Sequence, residues 1–365
     1  MRVAVIGAGP AGLATALALL RAGATVRCYE RSPGLTAEGT GLTLWPNGLA
    51  ALDRFRAGDA VRSRGLAADG IAIHAASGRA LQVVTSDAMD SVGGNGIAVH
   101  RAELVRALHD LLPPDTVDFG WDCVGAHTDG ERATATFRDG RTVTVDLVVA
   151  ADGVGSVVRA ASGLDSARRG GFRVWRAVVD HRLPPCAGLL TMGGDSAVGV
   201  WRLPGDRVYW FASAPDGGPR PPGHLAGWHD PIPQLFTATP TDRIVVTDVR
   251  DAKPLPAWSR GRIVLVGDAA HPSLPNMGQG TSQAFEDAAV LADRVMAGTD
   301  LTAALKSYED GRRDRADAAT AQARALARMG AWRNPIACRA REFMIAAMPT
   351  AVQLRQLRAL FAPPR

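Results

Sequence analysis

Six residues into the chain an apolar run, Arg2 to Ile6, breaks on glycine, and the next segment reads Gly7-Ala8-Gly9-Pro10-Ala11-Gly12. Glycine at the first, third and sixth positions after a strand constrains what can follow. Gly7 permits a tight turn, Gly9 lets a backbone approach a pyrophosphate at the positive end of a helix, and Gly12 lets helix and strand pack closely. The Ala/Leu-rich stretch Leu13 to Leu20 supplies that helix, Gly23 stops it, and Ala24 to Tyr29 forms a second strand. Strand, helix and strand in about 30 residues make a βαβ unit. Glu30, 18 residues past Gly12 and followed by Arg31, stands where a carboxylate accepts hydrogen bonds from a ribose. The motif alone does not choose among NAD, NADP and FAD, and its bland counterpart is a glycine-rich turn in a nucleotide-free α/β domain.

Two further strand ends narrow the choice. The buried run Ile263 to Val266 ends in Gly267-Asp268 and continues through Ala269-Ala270-His271-Pro272 to Pro275-Asn276-Met277-Gly278-Gln279-Gly280, which opens a helix. A carboxylate such as Asp268 can hold a polyol, and FAD has a ribityl chain where NAD has a second ribose. The amides of Gly278, Gln279 and Gly280 can face flavin N1 and the C2 carbonyl, leaving Pro275, Asn276, Met277 and Gly278 along the reactive edge of the ring. The third motif is Asp152-Gly153-Val154-Gly155-Ser156-Val157-Val158-Arg159.

With these three motifs in this order, nearly the whole chain resembles the group A flavoprotein monooxygenases, the family of para-hydroxybenzoate and salicylate hydroxylases, FAD-dependent urate hydroxylase and zeaxanthin epoxidase. The resemblance implies non-covalent FAD, with Asp152 and Gly153 near the pyrophosphate, Asp268 on the ribityl chain, and Arg101 of His100-Arg101-Ala102-Glu103-Leu104 touching the cofactor. Gly41 to Asn47 would lie beside the isoalloxazine ring. It also implies NAD(P)H as a transient reductant, dioxygen as co-substrate, and hydroxylation or epoxidation of a small, largely apolar aromatic or polycyclic molecule. The oxygen would come from a flavin C4a-hydroperoxide kept from water, with no metal and no dedicated acid or base. Ala150 stands where the family often has glycine, and Ser273-Leu274 separates His271-Pro272 from Pro275; neither alters the motif spacing. The chain has no second G-x-G-x-x-G and no W-x-W-x-I-P. A flavin oxidoreductase of the same fold that inserts no oxygen is the alternative, and a flavin-bound partner protein with a degenerate pocket is a third reading.

The expected fold class is α/β: a Rossmann-like FAD-binding domain with an inserted antiparallel β-sheet substrate domain and a helical C-terminal region. Residues 1–69, 97–165 and 255–335 are expected to form a discontinuous FAD-binding domain, 70–96 and 166–254 the substrate sheet, and 336–365 a C-terminal helix. Thr134 to Phe137 and Thr142 to Val149 flank Asp139-Gly140 as a hairpin. Candidate substrate-facing residues are Trp175, Arg176, Trp201, Tyr209 and Phe211; strand alternation sets Tyr209 and Phe211 on one face and Trp210 on the other. The aromatics could equally pack sheet against helices, and Arg176 could be a surface ion pair. His271 and His74 are lesser candidates, His271 as an acid/base or as a residue that shapes its turn.

Of 41 basic residues only Lys253 and Lys306 are lysines, so arginine clusters carry little information about partners, and the net charge of +5 does not point to nucleic acid. Arg312, Arg313 and Arg315 read as a solvated helix face paired with Glu309 and Asp310. A basic surface can still attract an anionic dinucleotide. Four scattered cysteines without C-x-x-C spacing suggest reduced thiols in a cytoplasmic protein, a monomer or homodimer with no leader and no membrane span. Ala340 to Leu360, with Phe343, Leu354, Leu357 and Phe361, is expected to dock on the FAD-binding part rather than lie on a membrane surface.

Overall fold

A computed structural model describes the chain apart from residues 37–38, 165–166, 217–224, 299 and 363–365. The expected boundary at 165/166 lies outside the described residues. From the N-terminus run β1 (Arg2–Ile6), α1 (Pro10–Arg21), β2 (Thr25–Glu30), β3 (Gly41–Leu44), α2 (Pro46–Arg54), α3 (Gly58–Arg62), β4 (Gly65–Ala67), β5 (Gly70–Ala75), β6 (Ala80–Thr85), α4 (Ser86–Asp90), β7 (Ile97–His100) and α5 (Arg101–His109). Next come β8 (Val117–Phe119), β9 (Cys123–Asp129), β10 (Arg132–Phe137), β11 (Thr142–Val145), β12 (Leu147–Ala150), α6 (Val157–Ala161), β13 (Ala167–Asp180), β14 (Gly188–Gly193), β15 (Ser196–Leu203) and β16 (Arg207–Pro215). The remainder is α7 (Ile232–Ala238), β17 (Val245–Ala252), β18 (Ser259–Arg260), β19 (Ile263–Leu265), α8 (Gly280–Ala297), α9 (Leu301–Gly330), α10 (Pro335–Ala346) and α11 (Thr350–Phe361).

Two large sheets organise the molecule. The six-stranded one has the order β18-β19-β12-β1-β2-β8, parallel except for β18. Its central strands are near-continuous apolar runs, buried on both faces as parallel strands under helices must be. The ends of β1, β12 and β19 lie side by side, so the three motifs, separated by more than a hundred residues each, converge on one edge. The seven-stranded sheet has the order β17-β13-β16-β15-β14-β5-β6 and is antiparallel but for β14 and β5. The early run Gly70 to Val84 joins it as β5 and β6, which turn at Ser77-Gly78. A third sheet, β3-β7-β4, lies where the two large ones meet.

Two expectations are corrected. The second hairpin arm is not one strand. β11 pairs with β10, whereas β12 leaves at Asp146 to join β1, because Leu147 to Ala150 is apolar on both faces and belongs in the buried parallel sheet. Nor is the C-terminal stretch a single helix. Pro349 has no N–H to continue α10 and starts α11 instead, while Asn334 begins α10 by accepting from the amides of Ile336 and Ala337 at 2.9 and 3.2 Å.

Candidate functional site

The first strand end is built as a cradle for an anion. Gly7 has φ +101°, and a Cβ there would stand 2.7 Å from the Ala151 carbonyl oxygen; one at Gly12 would stand 1.8 Å from that of Gly7. Only glycine lets β1, α1 and the β12 end come this close. α1 starts on Gly9 and Pro10 with no side-chain cap, so its first amides remain available to a phosphate. Arg101, exposed at the start of α5, lies over Gly9, its Nη2 3.9 Å from where a Cβ would be. Glu30 accepts from the amides of Ala8 (2.8 Å) and Ser32 (2.9 Å), so it also fixes the glycine turn, while Arg31 is exposed beside it. Asp152 caps α6 through Oδ2, which accepts from Val157 and Val158, but its Oδ1 is buried with no partner. A buried acceptor without a donor is costly, and a hydroxyl-bearing ligand in the cleft would relieve it.

Asp268 follows β19 and opens into the same cleft. Although its side chain is exposed there, the protein mass around it raises its pKa, with His271, Arg101, Arg159 and Arg176 pulling the other way. Arg159, only 1% exposed, ties the second and third motifs together by donating to the carbonyls of Ala269 (3.0 Å) and Val154 (2.6 Å).

Behind Asp268 lies a buried polar network. Asp287 of α8 receives the Gly267 amide (2.8 Å) and His271 Nε2 (2.6 Å) on one oxygen and Arg312 Nε (2.8 Å) on the other. Arg312 also pairs with Glu286 and reaches Gln283; Arg315 pairs with Glu286 at 2.8 Å; Asn47 donates to Glu286 (2.7 Å) and to Gln279 (3.0 Å). Arg312 is therefore fully buried, not on a solvated face, because its carboxylates come from α8 rather than from Glu309 and Asp310. Arg313 alone makes the expected pair with Glu309. Burial pulls Asp287 up and His271 down, but the attraction between them and Arg312 on the carboxylate outweigh it: Asp287 falls to about 2 and His271 is raised. His271 is 6% exposed and tilted against Trp258, ring centroids 5.1 Å apart, so it shapes the turn.

The ring-edge loop is anchored from the other side. Gly278 has φ +60°, and a Cβ there would meet Thr43 Oγ1 at 2.7 Å. Trp45 Nε1 donates to the Met277 carbonyl at 3.1 Å, and the indole stacks on Phe361 of α11 at 5.5 Å. α8 starts on Gln279 and Gly280 with no side-chain cap, leaving its first amides facing the cleft beside Asp268, whose Oδ1 is 3.8 Å from a Cβ position on Gly280.

The seven-stranded sheet meets this loop with one face only. Trp201, Tyr209 and Phe211 share that face; Trp201 lies 18° from the Phe211 plane at 5.7 Å and 28° from Tyr209 at 6.3 Å. A Cβ at Gly188 or Gly199 would stand 2.3 Å from the indole, so two glycines let Trp201 lie flat across β14 and β15. Phe211 packs with Leu274 and Met277. Arg176 is on the same face and its charge lowers the Tyr209 pKa, which burial nonetheless pushes up to about 12. Trp175 is not there: it alternates to the other face, packed with Trp210, Leu235 and Phe236 under α7. His74, opposite Thr191, also points to that far face and pairs ring to ring with His229. Among the described residues no cluster of His, Cys, Asp or Glu could hold a metal ion.

Comparison with known proteins settles the family. The model of the FAD binding domain family matches residues 1–323. Aurachin C monooxygenase/isomerase of Stigmatella aurantiaca is 35% identical over 361 residues, 95% of this chain and 94% of that protein. FAD-dependent urate hydroxylase of Klebsiella pneumoniae is 31% identical, covering 86% of each. Klebsiella pneumoniae HpxO complexed with FAD and uric acid superposes with a TM-score of 0.91 at 26% identity, over 99% of this chain and 96% of that one. This chain belongs to the FAD-dependent aromatic monooxygenases.

The monooxygenase's own residues fit the cofactor. The uncapped starts of α1 and α8, the orphaned Asp152 Oδ1 and the open Asp268 carboxylate are the groups that a pyrophosphate, a polyol and an electron-rich ring edge would satisfy. Sequence reasoning missed the roles of Trp45, Asn47, Glu286, Asp287 and Arg312. One signal was present: Gln283, Glu286 and Asp287 stand at i, i+3 and i+4 just before the apolar run Ala288 to Ala292, the spacing of one helical face.

Proposed function

We propose that this monooxygenase uses NAD(P)H and dioxygen to insert one oxygen atom into a planar, largely apolar aromatic or polycyclic molecule that lies on the Trp201, Tyr209 and Phe211 face. The observation that carries the substrate class is that face itself: a row of three near-parallel rings, Trp201 and Tyr209 largely buried and Phe211 more open, floored by glycines, with Phe211 in the same apolar cluster as Leu274 and Met277 of the ring-edge loop. A planar ligand stacks on such a surface through its π-face. Urate hydroxylase and salicylate hydroxylase among the similar proteins act on planar ring compounds, which supports the same class here.

FAD, when bound, supplies the redox chemistry: two electrons from the nicotinamide and dioxygen yield one oxygen atom in the product and one in water. The protein's share is binding and exclusion. Glu30, Arg101, Asp152, Gly153 and the first amides of α1 hold the adenosine and pyrophosphate; Asp268 holds the ribityl chain; Gly278, Gln279 and Gly280 offer amides where negative charge collects on the ring. Pro275 to Gly278 border its reactive edge, and Arg176 with Tyr209 orients a polar substituent of the substrate. Leu274, Met277 and Phe211 keep water from the site. Residues 1–69, 97–165 and 255–335 serve the cofactor, and 70–96 with 166–254 serve the substrate.

Planar heteroaromatics are screened for stimulation of NAD(P)H oxidation, and the responsive one is turned over under ¹⁸O₂ with peroxide measured alongside. One labelled oxygen per product is expected. Full-rate turnover without oxygen would overturn the reading and favour an oxidoreductase that inserts none.

A further inference from the structure

α10 has two faces with different surroundings. Inward, Arg341 donates to the carbonyls of Met329, Gly330 and Gly194, and Ile345 packs with Ala75, Leu81, Met192 and Ala197 on the flavin-facing side of the seven-stranded sheet. Outward, Ile336, Arg339, Ala340, Phe343 and Ala347 follow the three-four spacing of one helical face. On it Ile336 is 79% and Phe343 72% exposed, with Met344 beside them at 48%. Scattered exposed apolar residues are ordinary, but large side chains one heptad apart on one face, left almost wholly in water, mark a surface that something covers.

The charge around that face selects the occupant. The outward row carries one charge, Arg339, with no ion pair among the described residues, whereas Arg341 is buried on the inward side and the neighbouring acid, Glu342, is paired with Arg79 at 2.7 Å. Arg339 is exposed, and the outward row of α10 has no carboxylate. The 12 residues of α10 span only ~18 Å, a strip smaller than the roughly 800 Å² per partner of a stable interface. Phosphate headgroups over an acyl boundary satisfy both features, arginine above and phenylalanine below.

We propose that the outer face of α10 docks the enzyme on an anionic lipid surface. No helix among the described residues is long and apolar enough to cross a membrane, so the contact is peripheral. It places the side of the sheet that α10 covers next to the bilayer, where an apolar aromatic substrate accumulates; that consequence rests on the substrate class proposed above, whereas the docking itself does not.

The holoenzyme is sedimented with vesicles of pure phosphatidylcholine and of phosphatidylcholine containing phosphatidylglycerol, beside Ile336→Ser/Phe343→Ser and Arg339→Glu, with flavin absorbance and thermal midpoint as controls for folding. Wild type is expected to bind the anionic vesicles; the apolar double variant loses binding, and Arg339→Glu weakens it by at least about fivefold, the effect of one basic residue at such a surface. Failure of wild type to sediment with anionic vesicles would overturn the proposal, as would binding that neither variant reduces. Light scattering that shows a dimer dissociated by Phe343→Ser, without vesicle binding, would assign the face to a second copy instead. None of these outcomes depends on the substrate.

Discussion

Asp268 separates folding from cofactor binding more cleanly than any other side chain in the cleft. It faces the cleft with no ion pair among the described residues, and its pKa is raised by the surrounding protein, so the ligand-free fold gains little from its charge. A hydroxyl donating to a carboxylate contributes about 1.5–3 kcal/mol. Asp268→Ala is therefore expected to lower FAD affinity roughly 10- to 100-fold while leaving the thermal midpoint of the apoprotein unchanged or slightly raised, read by fluorescence titration of flavin into apoprotein. His271 and Asp287 behave oppositely, because they are part of the fold. His271 has its pKa raised above 6.5, so its contribution is present below that pH and is lost as pH rises through the raised value. Asp287, lowered from 3.8 to about 2, keeps its contribution above 3.8 and loses it only as pH falls toward the lower value. The pair is complete between these limits. His271→Gln, which leaves Asp287 its Arg312 and Gly267 partners, should thus be less stable than wild type in mild acid and converge with it on the alkaline side, checked by thermal midpoints across pH. Curves that stay parallel would mean that His271 is neutral in the folded protein.

At the scale of elements, what was readable from sequence is what local chemistry decides. The three strand ends with Gly7, Asp152 and Asp268 follow from turn glycines and apolar runs, and the structure brings them to one sheet edge because their strands are neighbours. Features set by distant partners were not readable. Arg312 has Glu309 and Asp310 within a turn, yet its partners Glu286 and Asp287 come from α8. Trp175 alternates correctly with its own neighbours, but only the pairing of β13 with β16 decides which face meets the cofactor cleft. The C-terminal helices are the clearest case: they were expected to dock on the FAD-binding part, but Ile345 packs on the seven-stranded sheet, Leu354, Leu357, Leu360 and Phe361 pack with Trp45, Ile71, Val84, Met89 and Val92, and Phe343 is left exposed. Phe361, 4% exposed, reaches the cleft through Trp45, and Arg315 fixes the helix end by donating to the Leu360 carbonyl at 2.8 Å. Phe361→Ala should cost about 3 kcal/mol, the loss of a buried aromatic. Trp45→Phe keeps the stack and removes only the donor to Met277, so it should cost about 1 kcal/mol and raise the peroxide released per NAD(P)H oxidised. If the bond from Trp45 to Met277 serves stability alone, the second variant will leave that ratio unchanged.

At the scale of the whole molecule, the proposed function needs the two large sheets held at a fixed separation, since it assigns the cofactor to one and the substrate to the other. The spacer between them is small: Gly41 of β3 lies against the Tyr209 ring of β16, and a Cβ there would stand 2.2 Å from Tyr209 Cγ. β3 is tied to β7 and through it to α5, which carries Arg101, while Tyr209 shares its face with Arg176 and is stacked beside Trp201. A methyl group at this point cannot be absorbed by a flexible chain end, because the atoms it meets are the base of a buried ring. Gly41→Ala should destabilise the protein by about 1–3 kcal/mol as overpacking does, and raise KM for the aromatic substrate without weakening FAD. Tyr209→Ala, which opens a cavity in the ring row, should also destabilise it and raise KM. The two changes are in contact and opposite in volume, so they should not add. In the double variant the new methyl enters the space the ring vacated, and its stability should exceed the sum of the single losses by more than about 0.5 kcal/mol, measured by denaturant unfolding of the holoenzyme. Additive losses would show that the sheets are spaced by contacts elsewhere, whereas a coupling in stability with KM still high would separate the ring's two duties, holding the sheets apart and receiving the substrate.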